Sequence, residues 1–100
     1  MTYISEETEE SFFERYFEYG DDSDTARKNA GKALKIVKAA NEKAEAVTAS
    51  AENGECFDEA EAVLVFQTLS LANHYAKEFI ASLPEQEQPQ YAGVLKQIIG

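Results

Sequence analysis

The sequence predicts an all-α fold, a long antiparallel helical hairpin with a shorter helix at each end, four-helix bundle-like in outline. Three observations carry that expectation. Ala26, Ala30, Ala33, Val37, Ala40, Ala44, Val47 and Ala51 alternate four and three residues apart, the spacing of a helical seam. The Asn-Gly pair of ENGEC, residues 52–56, interrupts this pattern with a turn signal. Beyond it, Val65, Leu69, Ala72, Ala76, Phe79 and Leu83 resume the four-three spacing. A chain of 100 residues makes one domain, able to bury somewhat over ~60% of the surface that its unfolded form exposes.

The first helix is expected from about Ser5 to Tyr19. Ser5 can cap an orphan amide, the glutamates after it favour the positive end of the helix dipole, and Gly20 is a stop signal. Phe12, Phe13, Tyr16 and Phe17 fall on one side of this helix, and Glu7, Glu10, Glu14 and Glu18 form the opposite stripe. A seam of alanines leaves room for bulky neighbours, so the four rings are expected in the core above it.

Asp22, Ser23 or Asp24 can cap the second helix, which carries the alanine seam. Arg27 and the lysines beside the seam read as a solvated face able to pair with the acidic first segment. After the turn, a third helix is expected from about Phe57 to Leu83, central and mostly buried. Its middle, AVLVFQTL, has the density of β-branched and aromatic residues of a strand. The helix-forming flanks DEAEA and LANHYAKEF and the lack of a second strand to pair with it favour helix. Pro84 and EQEQ then break the chain, and Pro89 suits the first turn of a fourth helix with an apolar face of Tyr91, Val94, Leu95, Ile98 and Ile99.

The net charge is −10 and unevenly placed. Residues 1–24 hold nine acids and Arg15, residues 25–50 hold six bases against two acids, and residues 51–100 hold eight acids against Lys77 and Lys96. The balance disfavours direct binding to nucleic acid or an anionic membrane, and makes a protein with a basic surface the natural partner. Cys56 is the single cysteine, so any disulfide would join two chains, and a reducing cytoplasm is expected. The segment MTYISEETEE lacks the features of a signal peptide, and no apolar run reaches the ~18 residues of a membrane span.

Candidate chemistry is sparse. His74, Lys77 and Glu78 share the polar side of the third helix, and the His-x-x-Lys pair resembles the motif of histidine phosphotransfer domains. That family consists of acidic four-helix bundles in which the histidine accepts a phosphoryl group. It places a small residue after the lysine, where this chain has Glu78, whose bulk and charge oppose a phosphate. His74 with Glu78 supplies two metal ligands where zinc sites take three or four from the protein. The cluster DDSD, residues 21–24, lacks the glycine and glutamate offsets of a calcium loop, and helix capping accounts for it. Cys56 has no basic neighbour in sequence to activate it. No cofactor and no catalytic set are expected.

The expected function is therefore binding. Glu7, Glu10, Glu14, Glu18, Asp21, Asp22, Asp24, Glu55, Asp58 and Glu59 are the candidate partner-binding acids, with Tyr3, Tyr19 and Tyr91 as exposed aromatic anchors. The first reading is a regulator or inhibitor of one protein. The alternative is nucleic-acid mimicry against a nuclease, restriction enzyme or CRISPR complex, since the chain is similar in size and charge to small acidic anti-defence proteins of phages. The helix-one stripe alone gives a carboxylate per ~5–6 Å, against a phosphate per ~3.4 Å of a DNA strand, so mimicry needs a second acidic row on the same face. A structural homo-oligomer is the third reading, and a homodimer is compatible with each.

Overall fold

The computed structural model describes residues 9–99 and contains α1 (Glu9–Tyr16), α2 (Ser23–Glu52), α3 (Glu59–Ala81) and α4 (Gln88–Ile99). Among the described residues there is no strand, so the AVLVFQTL segment is helical. Ser5, the expected first cap, lies outside the described residues. The helices α2 and α3, of 30 and 23 residues, form the antiparallel hairpin, and α4 packs on both. None of the helices described is long and apolar enough to cross a membrane.

Capping sets the hairpin's ends. Asp22 accepts from the Thr25 backbone N–H at 3.1 Å and from Thr25 Oγ1 at 2.7 Å, satisfying one of the amides left over at the start of α2. A Cβ on Gly20 would stand 2.9 Å from that same Thr25 Oγ1. Gly20 thus serves close approach to the cap rather than ending α1. At the other end, Gly54 takes φ +74°, the left-handed conformation that the Asn-Gly pair announced, and Glu55 N–H closes the turn on Ser50 C=O at 2.8 Å. Asp58 caps α3 by accepting from Ala60 and Glu61 N–H, which starts the helix two residues later than expected.

The core sits in one half of the hairpin. Ala30, Ala33 and Val37 of α2 and Ala72 and Ala76 of α3 have no exposed surface. The seam remains buried through Ala44, but Val47 is half-buried and Ala51 exposed. Phe12 of α1 and Phe17 just beyond its end are buried and Phe13 is half-buried, while Tyr16 turns outward at 37% exposure. These rings share the buried cluster with Ala26, Ala30 and Ala33, as expected, yet the ring partners they find outside their own segment come from α3. Phe12 stacks on Tyr75 at 6.1 Å, and Phe17 meets Phe79 edge-on at 4.8 Å.

The first helix stops at Tyr16, three residues before its expected end, and Asn29 supplies the reason. This side chain, 2% exposed, donates from Nδ2 to Glu18 C=O at 2.8 Å and accepts Glu18 N–H on Oδ1 at 3.0 Å. The amide thus replaces the helical partners of Glu18 and holds the chain extended toward the α2 cap.

At about 100° per residue, Asn29, Lys32, Ile36, Ala39 and Lys43 lie on one flank of the α2 seam, and Arg27, Leu34, Lys38 and Asn41 on the other. The first flank receives α1, through Asn29 and a Lys32–Glu18 ion pair of 3.5 Å. The second receives α4. Arg27 grips Glu87 with two bonds of 2.7 and 2.8 Å, and Asn41 Nδ2 donates to Ile98 C=O at 3.0 Å. Leu95 is buried there, Tyr91 and Ile98 are half-buried, and Val94 is 41% exposed.

Over its described residues, neither short helix reaches the turn. The expectation that the third helix is mostly buried therefore fails over its first half, where Val63 is 59%, Leu64 42% and Phe66 45% exposed. Apolar on both faces, this stretch has, among the described residues, only α2 to pack against.

Asn29→Ala strips the Glu18 amide and carbonyl of their partners, and urea melts should show a loss of about 2 kcal/mol. The Arg27 hydrogen bonds hold the Glu87 carboxyl below its ordinary 4.5, against a smaller opposing effect of desolvation. A depressed carboxyl stabilises the fold fully above 4.5, and this contribution is lost as pH falls through the folded value. Urea denaturation at a series of pH values should therefore show a shallower acid loss for Glu87→Gln than for the wild type.

Candidate functional site

The candidate acids divide into two groups. Glu10, Glu14, Glu18, Asp21, Asp22 and Asp24 are exposed at the end of the hairpin where α2 begins. Glu55, Asp58 and Glu59 are exposed at the turn where α2 has ended. Thirty helical residues separate them, about 45 Å at 1.5 Å each, and the exposed Lys28, Lys32, Lys35, Lys38 and Lys43 lie along the way. The two groups do not join into one row of carboxylates. Glu7 and Tyr3 lie outside the described residues.

Several of these acids also hold the fold. Asp22 and Asp58 are helix caps, Asp24 pairs with Arg27 at 2.6 Å, and Glu18 pairs with Lys32. The hydrogen bonds from the Thr25 hydroxyl and amide keep the Asp22 carboxyl below its usual value, so it stays ionised as a cap.

Two acids of the first group, Glu18 and Asp21, line a cleft of about 410 Å³ together with Phe13, Tyr19, Gly20 and Phe79. Tyr19 is the exposed anchor expected of it, at 72% exposure, with its ring 4.6 Å from that of Phe13. The Asn29 clamp on Glu18 sets where Tyr19 leaves the chain. Partial desolvation, then the carboxylates of Glu14 and Glu10, raise the Tyr19 phenol above its ordinary 10.0, and its hydroxyl bonds to Glu14. A ring face ringed by carboxylates suits a lysine or arginine side chain, through cation–π attraction and charge-assisted hydrogen bonds. Tyr91, expected to be exposed, is half-buried beside α4's contact with the core.

The remaining candidates are dispersed. His74 Nε2 lies 3.0 Å from Glu78 Oε2, with its ring edge-on to Tyr75 at 5.1 Å. Glu78 thus occupies the space beside the nitrogen that a phosphoryl group would approach. Cys56 is exposed in the turn. Among the described residues, no group of three or more His, Cys, Asp or Glu side chains is placed to hold a metal ion.

Two features escaped the sequence reading. One is Asn29, whose signal was an amide between Ala26 and Ala33 on the buried side of the seam. The other is a trough of about 450 Å³ on the α1 flank of the hairpin, nearer the turn, with Ile36, Ala39, Ala40, Leu64 and Val65 in its lining. Its signal was an apolar run too long for the helices available to cover it.

Glu14→Gln removes a carboxylate that opposes ionisation of Tyr19. Its ring signals, followed by NMR through an alkaline titration, should shift at lower pH in the variant than in the wild type. Comparison with protein-family models, with curated proteins and with solved structures finds no match to this chain.

Proposed function

We propose that this chain is a non-enzymatic, cytoplasmic binding protein that regulates or inhibits one protein partner by docking its α1 end on a basic surface. The observation that carries this reading is Tyr19, 72% exposed over Phe13 in a cleft lined by Glu18 and Asp21. Carboxylates alone steer encounter and select partners, whereas affinity comes from desolvated anchors, and an exposed aromatic with a packed base is such an anchor. The Asn29 clamp and the Asp22 cap preorganise the segment between them, which lowers the entropy lost on docking.

The acids at the α1 end stand beside an aromatic surface and are set far from those at the turn, which suits recognition of a protein better than imitation of a uniform phosphate row. A basic partner would meet the ring first and the surrounding charge at its rim. Weakening of the complex by salt should therefore be partial.

The test is affinity capture from the source lysate with wild type, Tyr19→Ala and a Glu14→Lys/Asp21→Lys double variant as baits, washed at low and high salt. A protein held by wild type at high salt and lost with Tyr19→Ala supports the proposal. Release by competing DNA, with Tyr19→Ala indifferent, would transfer the function to nucleic-acid mimicry.

A further inference from the structure

The trough near the turn lies on the same flank as α1, one step further along the hairpin. Its lining has Ala40 and Val65 buried at the base, Ile36 half-buried, Ala39 and Leu64 exposed, and Lys35 and Lys43 from α2. Leu64, 42% exposed, has no described helix over it. The proximal part of this flank shows what it accepts. There α1 lays an apolar face between α2 and α3, and its end is tied to α2 by the Glu18–Lys32 pair.

We propose that this trough docks an amphipathic α-helix of a partner protein, with carboxylates on the edge that faces α2. Ala39 and Ala40 let a helix backbone come close, while Lys35 and Lys43 stand two turns apart, about 12 Å along the axis. Acidic residues seven or eight positions apart on the occupant meet both lysines. Glu61, on the α3 edge, repels a carboxylate placed there and so fixes which way the helix is turned. Residues 25–50 hold six bases against two acids in a chain of net charge −10, so this is the one long stretch of positive sign that an acidic helix can meet. Screening over ~8 Å at physiological ionic strength shields Lys43, about 16 Å along the axis from the Lys32–Glu18 pair, from the acids of residues 10–24.

Two-fold stacking of a second copy on this flank with the hairpins antiparallel lays each α1 over the other's trough, an arrangement that light scattering distinguishes from a partner helix. Stacking them parallel brings the two α1 helices into collision. The surface is distinct from the Tyr19 cleft and opposite in sign, so the chain would join a basic protein at one end to an acidic helix at the other.

The test uses two synthetic amphipathic helical peptides of equal length, one with leucine and glutamate and one with leucine and lysine in place of glutamate. Binding to the full-length protein is followed by fluorescence anisotropy and by NMR shifts of the trough methyl groups. The glutamate peptide should bind with shifts at Ile36, Ala39 and Leu64, and Lys35→Glu/Lys43→Glu should weaken it at least ~10-fold while leaving the circular dichroism spectrum unchanged. Leu64→Asp should abolish the shifts. Equal binding of both peptides, binding of neither, or shifts confined to the Tyr75 and Phe79 region would overturn the proposal. So would a wild-type dimer in light scattering that Leu64→Asp dissociates, which would assign the trough to a second copy.

Discussion

Alanine on alanine is the contact from which the rest of this molecule follows. Ala30 and Ala33 of α2 and Ala72 and Ala76 of α3 are wholly buried, with Val37 beside them. Such small side chains let two helix backbones approach closely. They contribute little apolar surface in return, since each buried methylene contributes only about 0.8 kcal/mol. A hairpin closed this way needs larger side chains from outside it. The rings of α1 meet that need on one flank, and Leu95, Tyr91 and Ile98 of α4 meet it on the other.

The uneven cover follows from the lengths of the elements. The eight described residues of α1 and the twelve of α4 cannot follow a 30-residue α2 to its end. Packing is therefore dense where Phe12, Phe17, Tyr75 and Phe79 meet, and thin where Leu64 and Phe66 look outward. Local stability should fall in the same direction, because opening the turn end breaks fewer apolar contacts than opening the ring cluster. Binding surfaces are commonly placed on such less-covered ground, where a partner completes what the fold leaves bare.

Polar side chains do the fine placement. Asn29 turns the chain out of α1, Asp22 starts α2, and Arg27 ties α2 to Glu87 before α4. None of these adds much apolar burial, yet together they decide where Tyr19 projects and on which flank each short helix lies. The same residues separate the signs of charge. Carboxylates cluster at the two ends of the hairpin, and lysines line its length, so a partner meets different polarity according to where it approaches.

The all-helical class, the hairpin and its turn were legible from local physics. The four-three spacing of alanines reports a helix face directly, and Asn53-Gly54 reports a left-handed backbone, because both depend on a few neighbouring residues. The cap at Asp22 and the tendency of the Phe12 and Phe17 rings to seek the core belong to the same class, whereas Asp58 reads in sequence as a partner-binding acid and its capping of α3 is not legible there. Only the tertiary structure decided how far the core extends, that Tyr75 is a centre of the ring cluster, that α1 stops at Tyr16, and that no other described helix covers the apolar run around Leu64. Each of those depends on where a distant segment lands, as Asn29 does on Glu18 eleven residues away, and on how much of a long helix a short one can reach. Periodicity tells which face of a helix is apolar; the supply of other elements determines how much of that face is buried.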